Sequence, residues 1–118
     1  MAMDLAPLTK LNGFIGTCLV DSDSGMLMAK EGGGNAFDLE VAAAANTEVV
    51  RAKRRAMEEL DLDDQIEDIL ISLGNQYHVI SLVPNNEALF VYTAVDRDKG
   101  NLALTRVTMK NVAKKIKI

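Results

Sequence analysis

Tryptophan is missing from this chain, histidine and cysteine occur once each, proline twice, and aromatic residues make up only 4%. Each shortage closes a class of function. The lone Cys18 cannot form an internal disulfide, so no covalent staple supports the fold and a reducing compartment is expected. So few aromatics leave little material for stacking on bases or sugars, and a net charge of −4 with a pI near 4.9 lacks the basic surplus of a nucleic-acid binder. The only basic cluster is Lys110, Lys114, Lys115 and Lys117. No apolar run is long enough to span a bilayer and no signal-type leader is evident, so the expectation is a cytoplasmic protein with membrane attachment at most peripheral.

Reactive groups are equally scarce. His78 lies in a predicted strand between Tyr77 and Val79 with no sequence-evident nucleophile to serve, and Cys18 alternates with Phe14 and Val20 as an inert buried thiol does. Asp21-Ser-Asp-Ser-Gly25 and Asp96-Arg-Asp-Lys-Gly100 begin like calcium loops. In both the glycine falls fifth rather than sixth and no bidentate acid follows at the twelfth position, so both are turns. Gly32-Gly33-Gly34 lacks the Lys-Ser/Thr ending of a phosphate-binding loop and reads as a flexible connector. No metal site, no cofactor site and no active site for an enzyme acting alone is expected.

What the chain does have is apolar residues at 48% over 118 positions, enough for the core of one domain spanning residues 1–118. Leu5, Leu8 and Leu11 recur at three-residue steps in a short amphipathic helix, Asp4 to Leu11, where Pro7 is tolerable only in the first turn. Gly13 to Asp21 and Met26 to Lys30 form a hairpin about the Asp21–Gly25 turn, and Asn35 can cap a long helix from Ala36 to Leu60. Gln65 to Leu73, Gln76 to Val83 and Ala88 to Asp96 are strands joined by turns too short for parallel crossovers. A helix from Asn101 to Lys115 closes the order α-β-β-α-β-β-β-α. The strands are apolar on both faces, as with Leu89/Val91/Val95 against Phe90/Tyr92/Ala94, and such sheets are covered on both sides. The fold class is therefore α/β (α+β): a three-layer α/β/α sandwich about a five-stranded antiparallel sheet.

The long helix carries a double surplus. At about 100° per residue, Leu39, Ala43, Val50 and Met57 fall on one flank and Ala42, Ala45, Val49, Ala52, Ala56 and Leu60 on another, with Asn46 and Lys53 between. That arc is too wide for one neighbour. The edge strand adds to it, because Ile66, Ile69, Leu70, Ile71 and Leu73 come with no Lys, Pro or Gly to deter pairing and only Glu67 and Asp68 for protection. A two-fold homodimer consumes both surpluses by joining this strand to its copy and setting the two long helices side by side above the seam. Its expected interface is Leu39, Ala43, Asn46, Val50, Lys53, Met57, Ile66, Ile69 and Ile71, with Asn46 hydrogen-bonding its own copy to fix register. The charged face, including Arg51, Arg54 and Glu58, is either solvated with Arg54–Glu58 and Arg55–Glu59 pairs or a docking surface for a partner.

The residues Gly13-Phe-Ile-Gly-Thr-Cys-Leu-Val-Asp-Ser-Asp-Ser-Gly-Met26, Ala43-Ala-Ala-Asn-Thr-Glu-Val-Val50, Ile66-Glu-Asp-Ile-Leu-Ile71, Gln76-Tyr-His78, Asp96-Arg97 and Asn101-Leu-Ala-Leu104 together resemble the roadblock/dynein light-chain family, in particular its small free-standing bacterial members. The resemblance implies a homodimer with a joined sheet and paired central helices. It also implies a non-enzymatic scaffold that binds and regulates a small Ras-like GTPase or attaches to a signalling complex, with no residue-level GTPase footprint carried over. The other reading is a small-ligand-sensing signalling module in which Gly32 to Gly34 is a mobile lid.

Overall fold

A computed structural model describes residues 3–118. The chain opens with a 3-10 helix, Ala6–Lys10, rather than the α-helix predicted over Asp4 to Leu11. Three residues per turn suits the three-residue leucine step, which puts Leu5, Leu8 and Leu11 on one buried side, and Pro7 sits in the first turn, where its missing N–H costs nothing.

Five strands follow in two groups around the long helix. The order is β1 (Phe14–Asp21), β2 (Met26–Gly32), α1 (Leu39–Glu59), β3 (Asp68–Ser72), β4 (Gln76–Leu82), β5 (Leu89–Asp96) and α2 (Leu102–Lys115). The strands make one sheet in the spatial order β2-β1-β5-β4-β3, antiparallel throughout, so β2 and β3 are its edges. The long helix starts three residues later than the sequence suggests. Its cap is Asp38, whose Oδ1 accepts from the Glu40 and Val41 amides at 2.9 and 3.3 Å, not Asn35. Gly34 and Phe37 exchange backbone hydrogen bonds at 3.1 Å and hold residues 34–37 in a tight loop ahead of the helix. β3 likewise begins at Asp68 rather than Gln65, because beyond its register with β4 only the Leu82 amide reaches back, to the Glu67 carbonyl at 3.1 Å.

The period-two alternation of the strands builds a core on each face. Cys18, Val20, Ile80, Phe90 and Tyr92 point one way and meet Leu39, Ala43 and Val50 of α1. Leu19, Val79, Leu89 and Val91 point the other way and meet the three leucines of the 3-10 helix with Met109, Val112 and Ala113 of α2. The result is a three-layer sandwich in which α1 lies over the β1–β2 half of its face.

Candidate functional site

That offset leaves a ledge. Arg51 faces the β1–β2 turn, where its guanidinium donates to the carbonyls of Ser22 at 3.0 Å and Asp23 at 2.6 Å, so the opposite side of α1 looks toward β4 and β3. That side bears Ala42, Val49 and Ala56, half-buried, with Ala45, Ala52 and Leu60 exposed. Below it, Ile69 and Leu82 pack half-buried against the same core, and Ile71 pairs with His78 across the β3–β4 ladder. A wall of small apolar residues and a floor of larger ones thus run along an edge strand whose outer backbone groups have no partner among the described residues.

The flank of α1 expected at a dimer interface is the one that packs on the protomer's own sheet. Leu39, Ala43 and Val50, expected at a dimer interface, are 3%, 0% and 0% exposed within the protomer and pack under its own sheet. The sheet takes the flank with the larger side chains because these fill the space over β1, and the alanine-rich flank is the one left open. Asn46 also turns inward. It is 8% exposed, and its Nδ2 donates to the Ala42 carbonyl at 2.8 Å within its own helix. Lys53 is exposed and Met57 half-buried at the C-terminal end of the helix, and Ile66, Ile69 and Ile71 are half-buried along the edge.

The basic residues proposed for docking are tied to their own chain. Arg54 donates to Ser22 Oγ and to the Glu87 carbonyl, so together with Arg51 it fastens the β1–β2 turn and the β4–β5 turn to one helix. The expected Arg54–Glu58 pair is absent among the described residues, since this guanidinium is spent on the turns; Arg51 instead reaches Glu48 at 3.3 Å. Glu58 stands exposed beside an open groove of about 1070 Å³ at the end of α1, lined also by Met57, Leu62, Ile66, Asp64 and Lys110. The carbonyl partners of these arginines lie some thirty residues away in the chain and leave no mark in its pattern.

Under the ledge lies a short polar chain. His78 Nε2–H donates to Gln76 Oε1 at 2.7 Å, so Nδ1 accepts from the Tyr92 hydroxyl at 3.0 Å, and Phe37 sits edge-on to the ring at 5.9 Å. Burial lowers the His78 pKa and keeps the ring neutral. Burial raises the Tyr92 phenol above its ordinary value, with Cys18 adding to the rise and the Asn46 side chain opposing it. The Cys18 thiol is pushed up to about 12 by burial, which removes it as a nucleophile at neutral pH.

The glycine run is not a flexible connector. Gly32 and Gly33 both take positive φ, +75° and +73°, and a Cβ on Gly33 would stand 2.8 Å from Leu39 Cδ1. The Gly33 amide donates to the Ile15 carbonyl at 2.9 Å. This is a built turn wedged against the start of α1, where Gly32 and Gly34 line a shallow pocket of about 400 Å³; the larger groove lies at the other end of that helix.

No protein-family profile and no curated protein sequence matches the chain. Solved structures do. The Roadblock/LC7 domain from Streptomyces avermitilis superposes with a TM-score of 0.79 at 13% identity, covering 92% of this chain and 87% of that one. The fold is that of a roadblock/LC7 domain. MglB of Myxococcus xanthus shares this roadblock fold with a TM-score of 0.77 at 18% identity, covering 90% of this chain and 82% of its own. MglC of the same organism is more distant in shape, at 0.60 and 18% identity over 93% of this chain and 89% of its own. The three-layer sandwich and strand arrangement expected from sequence are those of the roadblock fold.

Proposed function

We propose that this chain is a homodimeric cytoplasmic adaptor, without catalysis of its own, that binds and regulates a small Ras-like GTPase. The observation that carries the dimer is the unpaired β3 edge lying beside the apolar ledge. An antiparallel pairing of β3 with its copy has its two-fold axis perpendicular to the sheet, so it continues the sheet and sets the two α1 helices together over the seam. In this arrangement Ala42, Ala45, Val49, Ala52 and Ala56 replace Leu39, Ala43 and Val50 at the helix contact, while Met57, Lys53, Ile66, Ile69 and Ile71 keep their place at it. Small side chains suit a close approach of two helices.

The GTPase role draws its support from the roadblock fold and from the residues that resemble that family, together with a neighbour, from Thermus thermophilus, described as a gliding protein. Light scattering is expected to give twice the 12.8 kDa of the chain. Co-purification with Ras-like GTPases of the same genome, and GTP turnover with and without this protein, test the role. A well-ordered monomer at micromolar concentration overturns the dimer, and failure to bind any such GTPase overturns the regulatory reading.

A further inference from the structure

Charge is distributed very unevenly along this chain. The twenty residues from Lys99 to Ile118 carry six Lys or Arg and no Asp or Glu, while the whole chain stands at −4. Seven carboxylates crowd into Glu58–Asp68, a stretch without one Lys or Arg. The fold brings the two regions into contact at only one ion pair, Arg106 to Asp68 at 2.7 Å. Lys110, Lys114, Lys115 and Lys117 stay exposed, and none lies within ion-pair distance of a carboxylate among the described residues.

These lysines share their surface with apolar side chains. α2 turns Thr105, Met109, Val112 and Ala113 to the core, which sends Leu104, Val107, Lys110 and Lys114 outward. Leu104 and Val107 are 49% and 57% exposed, and Ile118 is 49% exposed beside Lys117. The end of the helix is anchored, because Ile116 is buried and Asn85 Nδ2 donates to the carbonyls of Lys114 and Ile116 at 3.1 Å. The lysines therefore project from a fixed helix, with Lys110 at the rim of the groove.

We propose that the outer face of α2 is a docking surface for an anionic lipid membrane. Unpaired lysines around exposed aliphatic side chains match a headgroup layer that is negative on its surface and apolar just beneath, with the lysine stems reaching over the aliphatics. The groove that Val107 and Lys110 line is shared with Glu58, Asp63, Asp64 and Glu67, whose carboxylates repel an acidic peptide, and the scarcity of aromatics removes the stacking that would favour a nucleic acid. Each lysine near an anionic surface contributes about fivefold to partitioning, and the four together several hundredfold. If β3 pairs with its copy, both α2 helices lie on one side of the joined sheet and the α1 pair on the other. The dimer then presents eight such lysines to the same plane and leaves the α1 side free; the protomer face alone is enough for the inference.

Vesicle flotation tests it with the full chain. Binding is expected to phosphatidylcholine vesicles containing about one third phosphatidylserine at about 50 mM salt, and release at about 500 mM. Replacing Lys110, Lys114, Lys115 and Lys117 together by Gln lowers partitioning at least about 100-fold, and L104S with V107S lowers it roughly tenfold while the salt dependence persists. R55Q, at an exposed cation of α1, leaves it unchanged. Equal binding to pure phosphatidylcholine, no binding at low salt by folded protein, or wild-type binding by the quadruple variant overturns the inference. So does binding of polyglutamate without binding of vesicles, which assigns the face to an acidic protein segment. Light scattering on the same samples separates this from the dimer reading: flotation that fails in an intact dimer strikes only the membrane inference, and a monomer that still floats strikes only the dimer.

Discussion

β2 and β3 are both edges of one sheet, yet their exposed sides differ in almost every respect that governs pairing. The register of β2 with β1 shifts between Leu19 and Val20 and leaves Met28 as an extra, bulged residue; Lys30 and Glu31 follow, and Gly32 and Gly33 then turn the chain away under α1. β3 runs in unbroken register with β4, and its single charge, Asp68, is held by Arg106 at 2.7 and 3.1 Å. Bulges and lysines are among the ways proteins discourage edge-to-edge contact. β2 has both and β3 has neither, which teaches that the sheet is guarded against growth on one side and not on the other.

The largest effect is expected where the guarded edge is anchored. Leu39 is 3% exposed and packs against Gly33, so Leu39→Ala should cost about 2 to 5 kcal/mol of protomer stability in urea unfolding. Ala45→Glu, on the flank facing β3, should change protomer stability by no more than about 0.5 kcal/mol while weakening self-association. Similar losses from both would mean that the two flanks of α1 are not distinct.

One substitution made at both edges sharpens the contrast. Leu70→Lys sits mid-way along β3 at a position 39% exposed, so the protomer should tolerate it, whereas in a joined sheet the new charge is buried near its own copy. Sedimentation equilibrium should show the dissociation constant rise at least about 100-fold. Met28→Lys on β2, at 38% exposure, should leave it unchanged. Equal responses would erase the difference between the edges.

The smallest effect is one of pH. The neutral form of His78 is favoured in the fold because burial lowers its pKa below the usual 6.5. Above pH 6.5 the ring is neutral folded or unfolded and makes no difference; as pH falls below that value the unfolded chain takes up the proton first, so stability declines. Urea midpoints at pH 7.5 and 5.5 should show that decline in the parent and a weaker one in His78→Gln. An unchanged pH dependence in the variant would place the titrating group elsewhere.

Much of this architecture was legible beforehand. Turn residues at Asp21–Gly25, Gly74-Asn75 and Pro84–Asn86 bracket runs of strand formers, so element order and the identity of the open edge strand followed directly. The facing of α1 did not, because helical periodicity shows that two flanks are apolar without saying which one meets the sheet. Side-chain volume held that signal: Leu39, Val50 and Met57 need filling space, and the alanines do not. The conformation of Gly32 and Gly33, and the targets of Arg51 and Arg54, depend on residues brought together only by the fold, so no local pattern announces them.

Arg51 and Arg54 have a mechanical consequence. With one guanidinium on the carbonyls of Ser22 and Asp23 and the other on Ser22 Oγ and the Glu87 carbonyl, two hairpin tips and the middle of a twenty-one-residue rod form a single lever. Displacing either tip therefore strips hydrogen bonds from the same pair of side chains, so neither tip moves without loosening the helix's hold on the other.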